Sequence, residues 1–363
     1  MKSINIYNCG PTLFDYVHIG CYRIFVLADV IDKHFKNKGF EVKHGMNVMD
    51  IDDKILEYQK DEKFSTEIYY KSIKEEYKYL NINYPNYETI TSKNIDDYEK
   101  VIDRLLNGDV AYIKDSGIYL SLKRIDNYGE ITNINIKKEK NMVNLDKDNG
   151  CDPALWKFKK EAFGVKYKGK VGRPGWDIQC ATNCVIGMNG KIDYQFCGFN
   201  DVTHYENNKV IIEKSSYKYP SKWILVRFIN FVDDTPYYYL KDYIKNGYCR
   251  QVLRYALYSI KYSTAFDFSQ NHLFTSKKDV DKLNELYKIV VQLNDFQDNE
   301  RLDYILKEFK SIDSMIEDLK IPQILGLLFK IYNIYKKEKV GKSQNEKTKK
   351  ILDYLNKRLD FLY

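Results

Sequence analysis

The sequence has too little cysteine for a disulfide framework. Its seven cysteines in 363 residues, Cys9, Cys21, Cys151, Cys180, Cys184, Cys197 and Cys249, are sparse and odd in number. That points to free thiols serving as core residues or as ligands. No run of about 18 apolar residues occurs, so neither a membrane-spanning helix nor a membrane partner is expected. The opening MKSINIYNCGPT lacks the apolar core of a secretory signal. Neither sign of charge dominates: 58 Lys and Arg stand against 51 Asp and Glu, a formal net charge of +7. Such a balance permits a polyanionic partner without demanding one. No repeat of fixed period is present, which removes solenoid architectures. A cytoplasmic protein with reduced thiols is the expectation, and nothing in the composition sets an oligomeric state.

What the sequence does have is a globular composition, 44% hydrophobic and 30% charged, over a length that calls for two or three domains. Ile4 and Ile6 mark a short strand that Cys9-Gly10-Pro11-Thr12 breaks with turn residues. Ile24, Leu27, Ala28, Ile31 and Phe35 then recur at helical spacing, predicting a helix over 20–38 that Gly39 terminates. A second strand follows over 40–48. Strand, loop, helix and strand make a βαβ unit, whose first turn and helix start form a natural phosphate site. Charged helical stretches over 54–80 and 95–106 come next. A hairpin follows, in which Asp115-Ser116-Gly117 joins strands over 110–113 and 118–120. Residues 151–235 return to short β-like runs around a helix that carries Cys180 and Cys184. Beyond 241 the pattern is helical. Residues 279–294 and 322–336 carry apolar positions three and four apart, Pro322 suits a first helical turn, and 336–350 reads as a basic, solvated loop or helix end.

Taken singly, His18 reads as a helix cap and Cys9 as a small buried hydrophobe. The run from Cys9 to Arg23, CGPTLFDYVHIGCYR, changes that. It resembles the HIGH-motif region of class I aminoacyl-tRNA synthetases, and of the cysteinyl family in particular. Four further segments resemble that family in its order: Met49-Asp50-Ile51-Asp52-Asp53-Lys54-Ile55; Leu155-Trp156-Lys157; the run from Gly172 to Cys180; and Thr203-His204-Tyr205-Glu206-Asn207-Asn208. The resemblance is specific through about Ser269 and rests on helical pattern beyond it.

The resemblance implies an α/β fold: a Rossmann-like, doubly wound parallel sheet with an insertion, followed by a C-terminal α-helical bundle. It implies halves of the nucleotide-binding domain at 1–55 and 151–240, a connective insertion at 56–150, a stem-contact segment at 241–275 and the bundle at 276–363. The family's anticodon-recognition domain is expected to be absent, as in a divergent, C-terminally shortened paralogue. ATP, as substrate with Mg2+, would meet Thr12, His18, Gly20 and Arg23, with His18 and Gly20 at the catalytic position. Trp176, Tyr16 and Asp201 would bind the amino acid. The family holds one zinc with two Cys, one His and one Glu, and the zinc takes the substrate thiolate. Carried over residue by residue, Cys9, Cys180 and His204 fall on three of those ligands, and Asn208 falls on the Glu. Cys184, one helical turn after Cys180, is a possible fourth ligand, and Cys197 is another candidate.

The chain departs from the family elsewhere too. Cys21 stands for the second His of HIGH, and residues 228–239, where the lysine-bearing KMSKS loop is expected, hold no lysine and two acids, Asp233 and Asp234. Two functions follow from the resemblance. One is an ATP-dependent ligase that activates cysteine as an aminoacyl-adenylate and passes it to tRNA, or to a small amine or carrier. The other is a catalytically degenerate paralogue with a binding or regulatory role.

Overall fold

The computed structural model describes residues 2–59, 64–132, 146–159, 165–188, 191–198, 202–215, 221–292 and 298–363. The βαβ unit forms as the spacing requires. Strand β1 (Ser3–Asn8) leads through a 3-10 turn at Ile19–Cys21 into α1 (Tyr22–Asn37), and β2 (Glu41–Val48) returns parallel to β1. Gly39, at φ +78°, makes the left-handed helix stop that a side chain would resist. Helices α2 (Asp53–Tyr58) and α3 (Thr66–Tyr79) follow, then β3 (Tyr87–Ile90), parallel to β2, and α4 (Ile95–Asn107).

A second, antiparallel sheet is inserted next. It contains β4 (Ala111–Lys114), β5 (Gly117–Leu120), β6 (Ala154–Phe158), β7 (Lys166–Tyr167) and β8 (Lys170–Pro174), in the order β4-β5-β6-β8-β7. The chain then rejoins the first sheet through α5 (Trp176–Met188), β9 (Tyr194–Gly198), α6 (Val202–Lys214) and β10 (Lys222–Val226). The parallel order is β10-β9-β1-β2-β3. The winding direction reverses between β1 and β9, and in such sheets ligands bind at the carboxyl ends of the strands flanking that point.

Two expected boundaries move. β3 lies within the stretch expected to be insertion, yet it is the edge strand of the parallel sheet. Conversely, β6, β7 and β8 were expected in the second nucleotide-binding half but pair in the antiparallel sheet. Four residues, Tyr-Glu-Thr-Ile, show no period of their own, and β3 is a strand because β2 offers it a partner edge.

Beyond the sheets, β11 (Ile229–Asn230) pairs with β12 (Phe266–Asp267), enclosing α7 (Leu240–Lys245) and α8 (Arg250–Tyr258). The bundle is α9 (Gln270–Val291), α10 (Glu300–Glu308), α11 (Ile312–Glu317), α12 (Ile321–Lys337) and α13 (Lys342–Leu359). None of the described helices is long and apolar enough to cross a membrane.

Successive residues of β1 point to opposite faces. Ile6 enters a core shared with α1, α3, α8 and the bundle, and Tyr7 one shared with α4, α5, α6 and Trp156. Both faces are therefore covered, as a parallel sheet requires. Helix α1 is buried on all sides, so its polar residues need partners. Arg254 pairs with Asp29 at 2.8 Å and Arg358 Nε donates to His34 Nδ1 at 3.2 Å, which fixes α8 and α13 against it.

Candidate functional site

The carboxyl ends of β1 and β9 gather the chemistry-bearing side chains. β1 ends at Asn8, opposite Phe196 of β9, and the Cys9 N–H donates to the Phe196 carbonyl at 3.1 Å. Gly10 follows because nothing larger fits: a Cβ there would stand 1.7 Å from the Asn47 carbonyl oxygen. Gly175 turns the chain from β8 into α5 under a similar constraint, 1.9 Å from the Ala154 oxygen. That turn delivers Cys180 on α5 to the same place, and α6 delivers His204.

The ligand atoms of Cys9, Cys180 and His204 all lie within 4.8 Å of one another, the one such group of donors among the described residues. His204 Nδ1 meets Asp177 Oδ1 at 2.5 Å, and Asp177 Oδ2 accepts from Asn207 Nδ2 at 3.1 Å. Asp177 thus fixes the ring and leaves Nε2 for the cluster, the usual arrangement behind a metal-binding histidine. Burial opposes charge on His204, but the Asp177 bond, with Cys9 beside it, lifts its pKa to about 10. Hydrogen bonds from Cys180 and Cys197 hold Cys9 well below the ordinary thiol range, and the bond to Cys9 pushes Cys180 up. Two thiols and an oriented imidazole form a donor set that suits zinc.

Cys184, expected as a possible fourth ligand, stands outside this group, and its Sγ donates to Gln195 Oε1 at 3.2 Å. The Cys197 Sγ is 3.5 Å from Cys9 Sγ, but Cys197 also stands outside the group of three. Asn208 is fully buried, one turn after His204 on the same helix face, and neither its Oδ1 nor its Nδ2 has a partner. Glu206, the retained acid of that motif, accepts from the Ile131 and Thr132 N–H groups and the Thr132 hydroxyl, so it anchors the insertion.

A cavity of about 620 Å³ opens beside His204, lined among others by Asp52, Asp53, Lys54, Arg173, Trp176 and Asp177. Trp176 donates its indole N–H to Asp52, which also caps α2 by accepting from the Lys54 N–H at 2.9 Å. Arg173, almost fully buried, forks onto both oxygens of Asp53, and with Lys157 and Lys159 alongside it holds that carboxyl well below the usual range. Asp52, Asp53, Arg173 and Asp177 lie in segments that resemble the family, but their places in the sequence assign them no role. Their signal was proximity: Asp177 sits three residues before Cys180, on the same helix face.

The first βα turn lies along the same edge. Thr12 bridges to Met49 beside the β2 end. The Nε2 of His18 is 3.2 Å from Cys21 Sγ, while its buried Nδ1 has no partner, and burial lowers its pKa to about 4. The rings of Phe231 and Tyr238 cover it at 5.6 and 5.3 Å. A Cβ on Gly20 would stand 3.0 Å from His18 Nδ1, so glycine lets the imidazole approach the helix start. Asp233 and Asp234 are exposed, and Lys241 Nζ stands 3.1 Å from the Tyr16 ring centroid.

Two expectations need correcting. Arg23, expected at ATP, is fully buried. Its Nε donates to the Leu257 carbonyl (3.2 Å), Nη1 to those of Arg227 and Thr264 (2.6 and 2.9 Å), and Nη2 to those of Ile260 and Lys261 (3.1 and 2.9 Å). Tyr16, expected with Trp176, does not line that cavity but packs against Tyr69 and Tyr239. Asp201 lies outside the described residues.

Residues 1–278 match the family described as tRNA synthetases class I (C) catalytic domain. The chain is 30% identical to the cysteine–tRNA ligase of Campylobacter lari, with 98% of this chain and 81% of that one covered. It is 27% identical to the cysteine–tRNA ligase of Brachyspira hyodysenteriae, with 90% and 75% covered. Among solved structures it is similar in fold to Mycobacterium tuberculosis methionyl-tRNA synthetase in complex with methionyl-adenylate: TM-score 0.69, 9% identity, and 99% and 92% of the two chains covered.

Proposed function

This chain belongs to the class I tRNA synthetase family of the (C), or cysteinyl, type, and on that premise we propose that it activates cysteine with ATP and hands the acyl group to an acceptor in the cytoplasm. In the first step the amino-acid carboxylate attacks the α-phosphorus. A carboxyl–phosphate bond forms, the bond to the β-phosphate oxygen breaks, and pyrophosphate leaves. In the second, a hydroxyl of tRNA, or the amine of a small molecule or carrier, attacks the acyl carbon and AMP leaves. The observation that carries this reading is the convergence of Cys9, Cys180 and His204 at the carboxyl ends of β1 and β9, beside the Trp176 cavity.

Zinc held by Cys9, Cys180 and His204 would supply a Lewis acid with an affinity for thiolate. Asp177 keeps the His204 ring in the tautomer that leaves Nε2 free. Trp176, tethered to Asp52, walls the amino-acid pocket. Thr12, His18 and the N–H groups around Gly20 would meet the Mg2+-bound phosphates, with His18 acting as a neutral imidazole. Residues 241–275 would contact the acceptor stem and 276–363 would buttress them. Catalysis would come from position and charge neutralisation rather than from a side-chain nucleophile.

A second reading, a paralogue that binds amino acid or nucleotide without adenylation, draws on residues 228–239. They bring no lysine to the turn, and Phe231 and Tyr238 cover His18. Amino-acid-dependent exchange of pyrophosphate into ATP, run with every common amino acid, separates the two. Exchange with cysteine is expected. No exchange with any amino acid refutes the ligase and leaves the binding reading. Exchange without charging of tRNA assigns a small amine or carrier as acceptor.

A further inference from the structure

Cys197 stands outside the group of three donors, yet its sulfur is 3.5 Å from that of Cys9. The backbone sets that approach. Asn8 is registered against Phe196, and the Cys9 N–H donates to the Phe196 carbonyl at 3.1 Å, so the next residues along the two chains lie side by side. Neighbouring strands run about 4.8 Å apart, within the roughly 4.4–6.8 Å of Cα separation that a disulfide spans. To reach a bond of about 2.05 Å the two sulfurs need to close by only about 1.5 Å. Exposure divides the pair: Cys9 is half-buried and Cys197 is fully buried. A small oxidant therefore meets Cys9 first, and Cys197 is placed as the resolving thiol. Cys180 also lies within reach of Cys9, but it comes from helix α5 and not from a paired strand. Cys184 is turned to Gln195.

We propose that Cys9 and Cys197 form a reversible oxidation site for hydroperoxides, in which a disulfide between them withdraws Cys9 from the donor cluster. The Cys9 sulfur attacks one peroxide oxygen. An S–O bond forms, the O–O bond breaks, and the thiol proton leaves with the other oxygen as water or an alcohol. The Cys197 sulfur then attacks the Cys9 sulfur. The S–S bond forms, the S–O bond breaks, and the hydroxyl leaves as water with the Cys197 proton. Together the two sulfurs lose two electrons, which the peroxide gains, and a thiol reductant reverses the change. The disulfide itself does not need the metal, but its consequence rests on the metal reading above. With Cys9 bonded to Cys197, only Cys180 and His204 of the group are left to hold zinc.

The test titrates hydrogen peroxide against the purified, zinc-loaded chain, alkylates the free thiols without reduction and maps the digest by mass spectrometry. A Cys9–Cys197 cross-linked peptide is expected, and dithiothreitol should remove it. Cys9 joined to Cys180, or Cys9 left fully alkylated or over-oxidised with no link to Cys197, overturns the proposal. In Cys197→Ser the Cys9 sulfenic acid should persist and be captured by a 1,3-diketone probe, while Cys184→Ser should cross-link as the wild type does. Zinc release, followed with a chromogenic chelator, should reach one equivalent per disulfide and be reversed by dithiothreitol. Release without the cross-link also overturns the proposal. A cross-link that forms while zinc stays bound, or in a chain that binds no zinc, overturns the metal reading and leaves the oxidation site standing.

Discussion

Replacing Arg23 by lysine separates a nucleotide contact from a structural one. The guanidinium is fully buried and its five N–H groups meet five carbonyls, those of Arg227, Leu257, Ile260, Lys261 and Thr264, while its plane lies 4.7 Å from the Phe266 ring centroid. Burial lowers its pKa to about 10, so it is charged at neutral pH, and lysine keeps that charge. What lysine loses is the fork. An ammonium has three N–H groups on one nitrogen, so at least two of the five carbonyls are left without a donor. Each buried carbonyl that loses its partner costs about 1–3 kcal/mol, which gives a destabilisation of about 2–6 kcal/mol for Arg23→Lys. Equilibrium urea unfolding, followed by tryptophan fluorescence and by far-UV circular dichroism, measures it. A shift corresponding to less than about 1 kcal/mol, with coincident transitions and weakened ATP binding, would refute the structural role and restore Arg23 to the nucleotide.

Three further outcomes follow from individual contacts. Burial pushes the Glu76 carboxyl up to about 7, although hydrogen bonds from Tyr22 and Ser72 act against it. The folded state therefore holds that proton more tightly than the unfolded chain. The resulting stability, up to about 3 kcal/mol, is complete below about pH 4.5 and lost as pH rises through about 7. Glu76→Gln should flatten denaturant midpoints across that window, and an unchanged pH slope would count against the assignment. Gly10→Ala should lose about 3 kcal/mol or more, because its Cβ would meet the Asn47 backbone at 1.7 Å. A thermal midpoint near wild type would show that the two strand ends can part. Asn208→Leu removes a buried amide without partners, so the metal-free protein should be as stable as wild type or more stable by about 1 kcal/mol. A loss of that size instead would reveal a partner for the amide.

Local signals carried the first βαβ unit. Ile4, Ile6, the turn at Gly10 and Pro11, the helical spacing from Ile24 to Phe35 and the stop at Gly39 are all read within forty residues, and the strands and helix stand where those residues place them. β3 escaped notice because its strand character comes from the β2 edge rather than from alternation within Tyr-Glu-Thr-Ile. The burial of α1 escaped for a related reason. Asp29, Lys33 and His34 look like a solvated face until Arg254 and Arg358 arrive from more than two hundred residues away. Arg23, a cation one turn into a helix beside a phosphate motif, looks available in the sequence, and only the carbonyls of Arg227, of Leu257 in α8 and of the loop after α8 show its donors to be taken. At the candidate metal site, motif order singled out Cys9, Cys180 and His204. The neighbours of the other two thiols depend on pairing: Cys184, one helical turn after Cys180, meets Gln195 of β9, and the parallel register of β1 and β9 puts Cys197 against Cys9.

On the proposed reading, the amino-acid and phosphate sites are built on different elements, so they need not have kept the same properties. The proposed amino-acid site would rest on β1, β9, α5 and α6, whose thiols, imidazole and Trp176 are held by buried contacts and by the Asp177 and Asp52 carboxylates. The proposed phosphate site would rest on the turn before α1 and on residues 228–239. There an imidazole with a pKa near 4 faces two aromatic rings, and the exposed charges of the covering segment are Asp233 and Asp234. Ground-state binding of an amino acid draws on the first set. Adenylation draws on cations that neutralise charge as pyrophosphate departs, an interaction realised in the transition state. Removing such cations lowers the rate of the chemical step while leaving amino-acid affinity in place. A protein that binds cysteine and zinc but exchanges pyrophosphate slowly is therefore consistent with both sites. In it the missing neutralisation would have to come from the Mg2+ that accompanies ATP, or from cations that the acceptor brings.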